Sequence, residues 1–231
     1  MARKTKSMAA TAADSDVSCP PVQVRAASPG FSHAPAPAVE GAEPKARDRI
    51  IDAATRLFCQ YGITAVGVDA VVAEAATAKA TLYKTFGSKE RLVEAVLERE
   101  GAAWRDWFIG ELLKGEATPM ARLRRIFPVL RQWFTDDAFF GCPFINAVAE
   151  TDKRDDRMRQ IALNHKKVVL DTLTTLADEA GARDAHGLAH QLGLLIDGAI
   201  VAAMITKDAN VALLAGQSAD LLLRDRCAAA A

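Results

Sequence analysis

The sequence predicts an all-α fold: an N-terminal three-helix head containing a helix-turn-helix, followed by an all-helical body. Three observations predict it. Between Lys45 and Tyr61 apolar residues recur at helical spacing. From Gly67 to Glu90 the chain reads as a short helix, a tight turn, a second short helix and a new helix start. From Arg91 onward long amphipathic stretches follow one another, separated by breaks rich in Gly, Pro or charge.

Composition sets the frame for these elements. The chain has 231 residues, half of them hydrophobic and a quarter charged, which is an ordinary globular balance with room for one or two domains. No uninterrupted apolar run reaches the roughly 18 to 20 residues that cross a bilayer, so no membrane partner is expected. The basic start Arg3-Lys4-Thr5-Lys6 is followed by no apolar stretch, so no secretory signal is expected and a cytoplasmic location is. Cys19, Cys59, Cys142 and Cys227 lie far apart without a C-x-x-C pair, so reduced thiols are expected rather than a zinc ribbon. The zero net charge is unevenly spread: residues 45–91 hold eight Lys or Arg against five Asp or Glu, and residues 92–231 hold 17 against 20. A basic head on an acidic body suits a nucleic-acid-binding end carried by a part that does not touch the duplex.

Residues 1–44 are rich in Ala, Pro and Ser, with Pro20-Pro21, Pro29-Gly30, Pro35, Pro37 and Pro44 breaking any regular element, and they read as a disordered tail. In the first helix Ala46, Ile50, Ala53, Ala54, Leu57, Phe58 and Tyr61 form one apolar stripe, and Gly62 supplies the stop. Lys45, Arg47 and Arg49 crowd its first turns against the helix dipole, a placement that suits either phosphates or plain solvation. Val68 to Ala75 makes a second helix with Val68, Val71 and Val72 inward, and Ala76-Thr77-Ala78 is the turn. Lys79 to Phe86 makes the third, with Leu82 and Phe86 spaced i, i+4 toward the other two. That leaves Lys79, Thr81, Tyr83, Lys84 and Thr85 outward: cations and hydroxyls for phosphates, Thr and Lys for base edges. Ser88 is the expected N-cap of the next helix, with Lys89 beside a helix N-terminus where a phosphate would sit.

The run Thr81-Leu-Tyr-Lys-Thr-Phe-Gly-Ser-Lys-Glu-Arg-Leu92, behind a helix ending Leu57-Phe58-x-x-Tyr-Gly62, resembles the DNA-binding head of TetR-type transcriptional regulators. The resemblance covers residues 45–91 and implies domains at 45–91 for DNA binding and 92–231 for ligand binding and dimerisation. Lys79, Thr81, Leu82, Tyr83, Lys84, Thr85 and Lys89 are then the DNA-binding candidates. The chain departs from the family pattern in the turn, which is Ala76-Thr77-Ala78 in place of Gly-Val-Ser, at Ala80 in place of Gly, and at Val66-Gly67 where a hydroxyl residue commonly caps the second helix. Ala76 with a positive φ costs about 1 kcal/mol, and Thr77 is the candidate to take over as cap of the third helix.

In the body, a long helix is expected from Ser88 through Trp104, Trp107 and Phe108 to Leu113, with Thr118-Pro119 starting the next. Met120 to Phe134 reads as one helix, Arg154 to Ala180 as another, and Gly187 to Thr206 and Val211 to Leu223 as two apolar closing helices. The segment Gly-Cys-Pro-Phe-x-Asn-Ala at 141–147 resembles one found in a subgroup of these regulators. The two closing helices, rich in Leu and small residues, suit another subunit, and the resemblance makes them the homodimer seam.

Trp104, Trp107, Phe108, Phe127, Trp133, Phe134, Phe139, Phe140 and Phe144 gather in one part of the chain. Each alone is best read as core. Together, in a body whose family binds small molecules, they suggest an apolar pocket with Asn146, Glu150 and His165 as polar groups. His186 and His190 have a ligand spacing without a third ligand, and Asp152, Asp155 and Asp156 sit among compensating cations, so no metal, cofactor or catalytic residue is expected. The expected function is a transcriptional regulator, a repressor released from a palindromic double-stranded DNA operator by a small-molecule effector. The alternative is a helical small-molecule-binding or scaffolding dimer with weak or no DNA binding, separable by gel shift. A metalloenzyme using His186 and His190 is a third reading, tested by metal analysis.

Overall fold

The computed structural model describes residues 45–115, 118–152, 154 and 156–227. The expected tail at 1–44 lies outside the described residues. Among the described residues ten helices follow in order: α1 Ala46–Tyr61, α2 Val68–Glu74, α3 Lys79–Phe86, α4 Lys89–Leu113, α5 Pro119–Arg124, α6 Ile126–Phe134, α7 Pro143–Glu150, α8 Asp156–Glu179, α9 Ala185–Thr206 and α10 Val211–Arg226. No strand occurs among the described residues.

The head packs as its periodicity requires. Ile50, Ile51, Ala53, Ala54 and Phe58 of α1 bury against Val71 and Val72 of α2 and Leu82 and Phe86 of α3. Gly62 ends α1 at φ 88, a conformation open to glycine, while its N–H closes on the Phe58 carbonyl. Ser88 caps α4 by accepting from the Arg91 amide, and Thr118 caps α5 from Ala121 with Pro119 at the first turn.

Two local expectations are corrected. Thr77 does not cap α3. The N-cap is Ala78, and the end has no side-chain cap. With Ala76 left-handed at φ 47, the Thr77 amide turns back to the Val72 carbonyl at 3.0 Å and one more residue is needed before the helix starts. Met120 to Phe134 is not one helix. It breaks at Arg125 into α5 and α6 because Pro128 has no N–H for the Arg124 carbonyl and its ring crowds that carbonyl. The break frees the Arg125 guanidinium to donate to the Glu111, Leu112 and Lys114 carbonyls, which closes the C-terminal end of α4.

Behind the head, α4 packs on α8, α8 on α9, and α10 on α9 and α6. By length and composition α9 is long and apolar enough to cross a bilayer, with a mean hydropathy of 1.7. Here its Leu188, Leu192, Ile196 and Ile200 are buried in the fold, and its Asp197 is paired with Lys166 of α8 at 2.6 Å. The opposite stripe of α9 and the outer side of α10 stay bare: Leu194 is 73 % exposed, Ile205 71 % and Leu221 69 %.

Ala76→Gly is expected to remove the left-handed strain and raise stability by roughly 0.5–1 kcal/mol after the added entropy of the unfolded chain. Urea unfolding followed by circular dichroism checks it, and a lower midpoint contradicts it.

Candidate nucleic-acid interface

The outward surface of α3 follows from what locks its inner side. Leu82 is fully buried and Phe86 nearly so, which fixes the helix on α1 and α2. Leu82 was a DNA-binding candidate, and the structure corrects that: a side chain with no exposed surface in the head core cannot reach a duplex. Tyr83, Lys84 and Thr85 are exposed and Thr81 is half-buried. The Thr85 hydroxyl donates to the Thr81 carbonyl at 2.7 Å, so its oxygen is held in place along the helix. Lys79 stands at the start of α3 with its ammonium 2.8 Å from Asp69, and that hydrogen bond raises its pKa. In the first turns of α1, Arg47 lies over the Phe86 ring at 5.8 Å and Arg49 donates to the Ala75 carbonyl that ends α2. Both therefore brace the head.

Lys89 has a different place from the rest. Its ammonium donates to the Ile63 carbonyl at 2.6 Å, in the loop between α1 and α2. The other side of the same loop is held from the body: the Thr64 amide donates to the Glu150 carboxylate at 2.9 Å, and the Thr64 hydroxyl to the Glu150 carbonyl at 3.3 Å. Glu150 was a candidate polar group for an aromatic pocket. It is instead an exposed residue at the end of α7, gripping the head. A third tie joins α4 to α1, where Arg99 meets Asp52 at 2.6 Å and the Thr55 hydroxyl at 3.2 Å.

The aromatic residues of the body do assemble. Trp104 stacks on Phe108 with ring centroids 4.6 Å apart and leans on Trp133 at 5.5 Å and His165 at 5.6 Å. Trp107 stands 6.4 Å from both Trp104 and Phe108. Phe144 stacks on His165 at 3.9 Å, and Trp133 continues the cluster to Phe134 and Phe139. Phe127 is buried elsewhere, under Gly216 of α10. Asn146 also departs: it donates to the Phe140 carbonyl and lines a separate cavity of about 20 Å³ with Phe58, Cys59 and Leu97, between α1, α4 and α7. That volume holds about one water molecule. Burial pushes the Cys59 thiol up to about 12, with Glu100 and Cys142 adding to the shift, so the thiol beside this cavity stays protonated and unreactive.

Sequence reading missed the α4 residues that pack against the cluster. Gly101 of α4 lies so close to the cluster that a β-carbon there would sit 2.6 Å from Phe144 and 3.1 Å from His165 Nδ1. Arg105 Nη1 is 2.9 Å from His165 Nδ1. Burial first, then the positive charges of Arg105 and Lys166, hold His165 down at about 3, so its Nδ1 accepts from Arg105 as a neutral imidazole. A lone glycine inside a helix pattern was the available signal for Gly101. The rest depends on contacts between distant segments.

Residues 50–96 match the model of the bacterial regulatory proteins of the tetR family, and residues 119–218 that of the tetracyclin repressor-like C-terminal domain. A TetR-family transcriptional regulator from Streptomyces coelicolor, of known crystal structure, is 30 % identical, with 79 % of this chain and 96 % of that chain covered and a TM-score of 0.73. The chain belongs to the TetR family. It is a helix-turn-helix DNA-binding transcriptional regulator and not an enzyme. The regulator BetI of Rhizobium meliloti is 26 % identical over 181 residues, 75 % of this chain and 87 % of that protein. A putative regulator from Saccharomonospora viridis, solved in complex with choline, shares the TetR fold at 21 % identity and a TM-score of 0.64, with 79 % and 97 % of the two chains covered.

In this TetR-family body His165 sets an acid-side stability slope. Its folded pKa lies below the usual 6.5, so between about 6.5 and about 3 the unfolded chain takes a proton that the folded chain refuses. Stability is expected to fall with acidification in that window, by up to ~1.4 kcal/mol per pH unit from this group, and to gain nothing from it above the window. His165→Gln, which keeps an acceptor for Arg105, should flatten that slope in unfolding measured between pH 7 and 4.5; an unchanged slope contradicts the assignment.

Proposed function

We propose that this TetR-family chain is a repressor that holds a palindromic operator as a homodimer and releases it when a small molecule enters the body. The observation that carries the reading is the outward face of α3, where Thr81, Tyr83, Lys84 and Thr85 stand out from a helix that Leu82 and Phe86 lock in place. Thr81 and Thr85 offer hydroxyls and methyls to base edges. Tyr83 and Lys84 suit phosphates, and Lys84 has no ion-pair partner among the described residues. Lys79 is held only by an exposed ion pair with Asp69, which is weak enough for a phosphate to displace. Lys89 acts through the α1–α2 loop and sets the tilt of the head rather than gripping a phosphate.

The exposed stripes Leu194, Gly198 and Ile205 on α9 and Leu214 and Leu221 on α10 support a second copy as the cover. A two-fold pair of heads suits two half-sites one helical turn apart. The aromatic cluster around Trp104 is the place for the effector. The choline bound by one structural neighbour supports the general idea that such a body accommodates a small molecule. Effector and operator affinities are then reciprocally linked through α4 and α7.

Fluorescence anisotropy on DNA from upstream of the gene, and on a random duplex, tests the interface. Lys84→Ala should weaken both and lower the salt slope by about one unit. Thr81→Ala should cost ~1–3 kcal/mol on the specific site and little on the random one. Unchanged operator affinity in both variants overturns the assignment.

A further inference from the structure

Among the described residues no carboxylate pairs with Arg105, which is half-buried on α4. Other part-buried cations are held by anionic or carbonyl oxygens: Arg99 by Asp52, Lys166 by Asp197, Lys89 by the Ile63 carbonyl and Arg125 by the carbonyls that end α4. Among the described residues Arg105 has only the neutral imidazole of His165, at 2.9 Å. A second group beside it is also unsatisfied. The Trp104 indole N–H is buried and has no acceptor, an omission that costs ~1–3 kcal/mol when a donor loses water without a replacement. Both groups adjoin the same ring, since Trp104 leans on His165 at 5.6 Å between centroids. The lone pair His165 offers at Nδ1 is already taken by Arg105. The surroundings are flat and apolar. Trp104 stacks on Phe108, and Trp107 and Trp133 stand around it, with all three indoles half-buried so that the cluster reaches the surface.

The cluster thus presents a cation with no carboxylate, an N–H donor with no acceptor, and aromatic faces. A quaternary ammonium suits aromatic faces but is repelled by the Arg105 charge. An uncharged planar molecule fits the walls and leaves the guanidinium uncompensated. We propose that the Trp104–Arg105–His165 cluster takes an organic anion with a planar apolar body, of the aromatic carboxylate class. Its carboxylate pairs with Arg105 and accepts from the Trp104 N–H, and its ring lies against the indoles. This identification rests on the reading that the body holds the effector, and it names the chemistry of that effector.

Isothermal titration of the full-length protein with three probes tests it: 2-naphthoate, its neutral isostere 2-naphthamide, and choline. Naphthoate should bind at least tenfold more tightly than naphthamide, and choline should give no saturable heat. Arg105→Met should abolish the difference between naphthoate and naphthamide, and Arg105→Lys should restore part of it. Should Arg105→Met melt early, Trp104→Phe keeps the stacking, removes only the N–H, and should weaken naphthoate several-fold and naphthamide, whose carbonyl is a weaker acceptor, by less. Equal or tighter binding of naphthamide or choline overturns the anion and leaves the effector-binding body standing. Absence of binding by all three up to millimolar concentration overturns the planar anion as well, and release of operator DNA by other small molecules then decides on the body separately.

Discussion

The structure depends on a small loop held from two sides. Between α1 and α2, the Ile63 carbonyl accepts from Lys89 of α4 and the Thr64 amide donates to Glu150 of α7. Both bonds involve an ionised partner, and such bonds are shorter and stronger than neutral ones. Gly62 makes the loop possible: its φ of 88 turns the chain sharply, and a β-carbon there would meet the Glu150 carboxylate at 3.1 Å. With Arg99 joining α4 to Asp52 of α1, the three-helix head has few ways to tilt without breaking a charge-assisted contact. The tilt of the head sets where α3 stands.

The same two body helices that hold the loop also touch the aromatic interior. On α4, Gly101 lies against Phe144 and His165, twelve residues after Lys89. On α7, Phe144 stacks on His165 while Glu150, six residues later, holds Thr64. At 1.5 Å per residue, only about 9 Å of rigid helix separates the two ends of α7. A molecule that moves Phe144 or His165 therefore shifts both supports of the loop together. The close contact at Gly101 leaves no slack to absorb the motion. This is a two-armed connection, carried by packing on one side and by a salt-sensitive carboxylate contact on the other.

Much of this was legible in the chain. The helix period placed Ile50, Leu82 and Phe86 inward and Tyr83, Lys84 and Thr85 outward, and the structure agrees. Helix ends were legible where local chemistry sets them, as at Gly62, Ser88 and Thr118-Pro119. The same period, applied consistently, would have kept Leu82 out of the DNA-facing set, and Pro128 was a visible reason to break the helix near Arg124. Other features were not legible. Lys89 and Glu150 find partners 26 and 86 residues away, and no local pattern distinguishes them from solvated charges. Asn146 and His165 both looked like polar groups for one pocket, yet the turn of α7 sends Asn146 toward Phe58 and Leu97 and leaves His165 with Trp104. That Arg105 meets an imidazole and no described carboxylate appears only once the fold is known.

The two-sided hold on the α1–α2 loop is tested most directly by amide hydrogen exchange on the full-length protein with and without the Glu150→Ala substitution. The Thr64 amide and its neighbours in 62–67 should exchange at least about tenfold faster in the variant, since the amide loses a charge-assisted partner worth ~1.5 kcal/mol or more. Leu82 and Phe86 in α3 should keep their protection, because the head core is intact. Unchanged exchange at 62–67, or an equal loss of protection throughout α1 to α3, would contradict it.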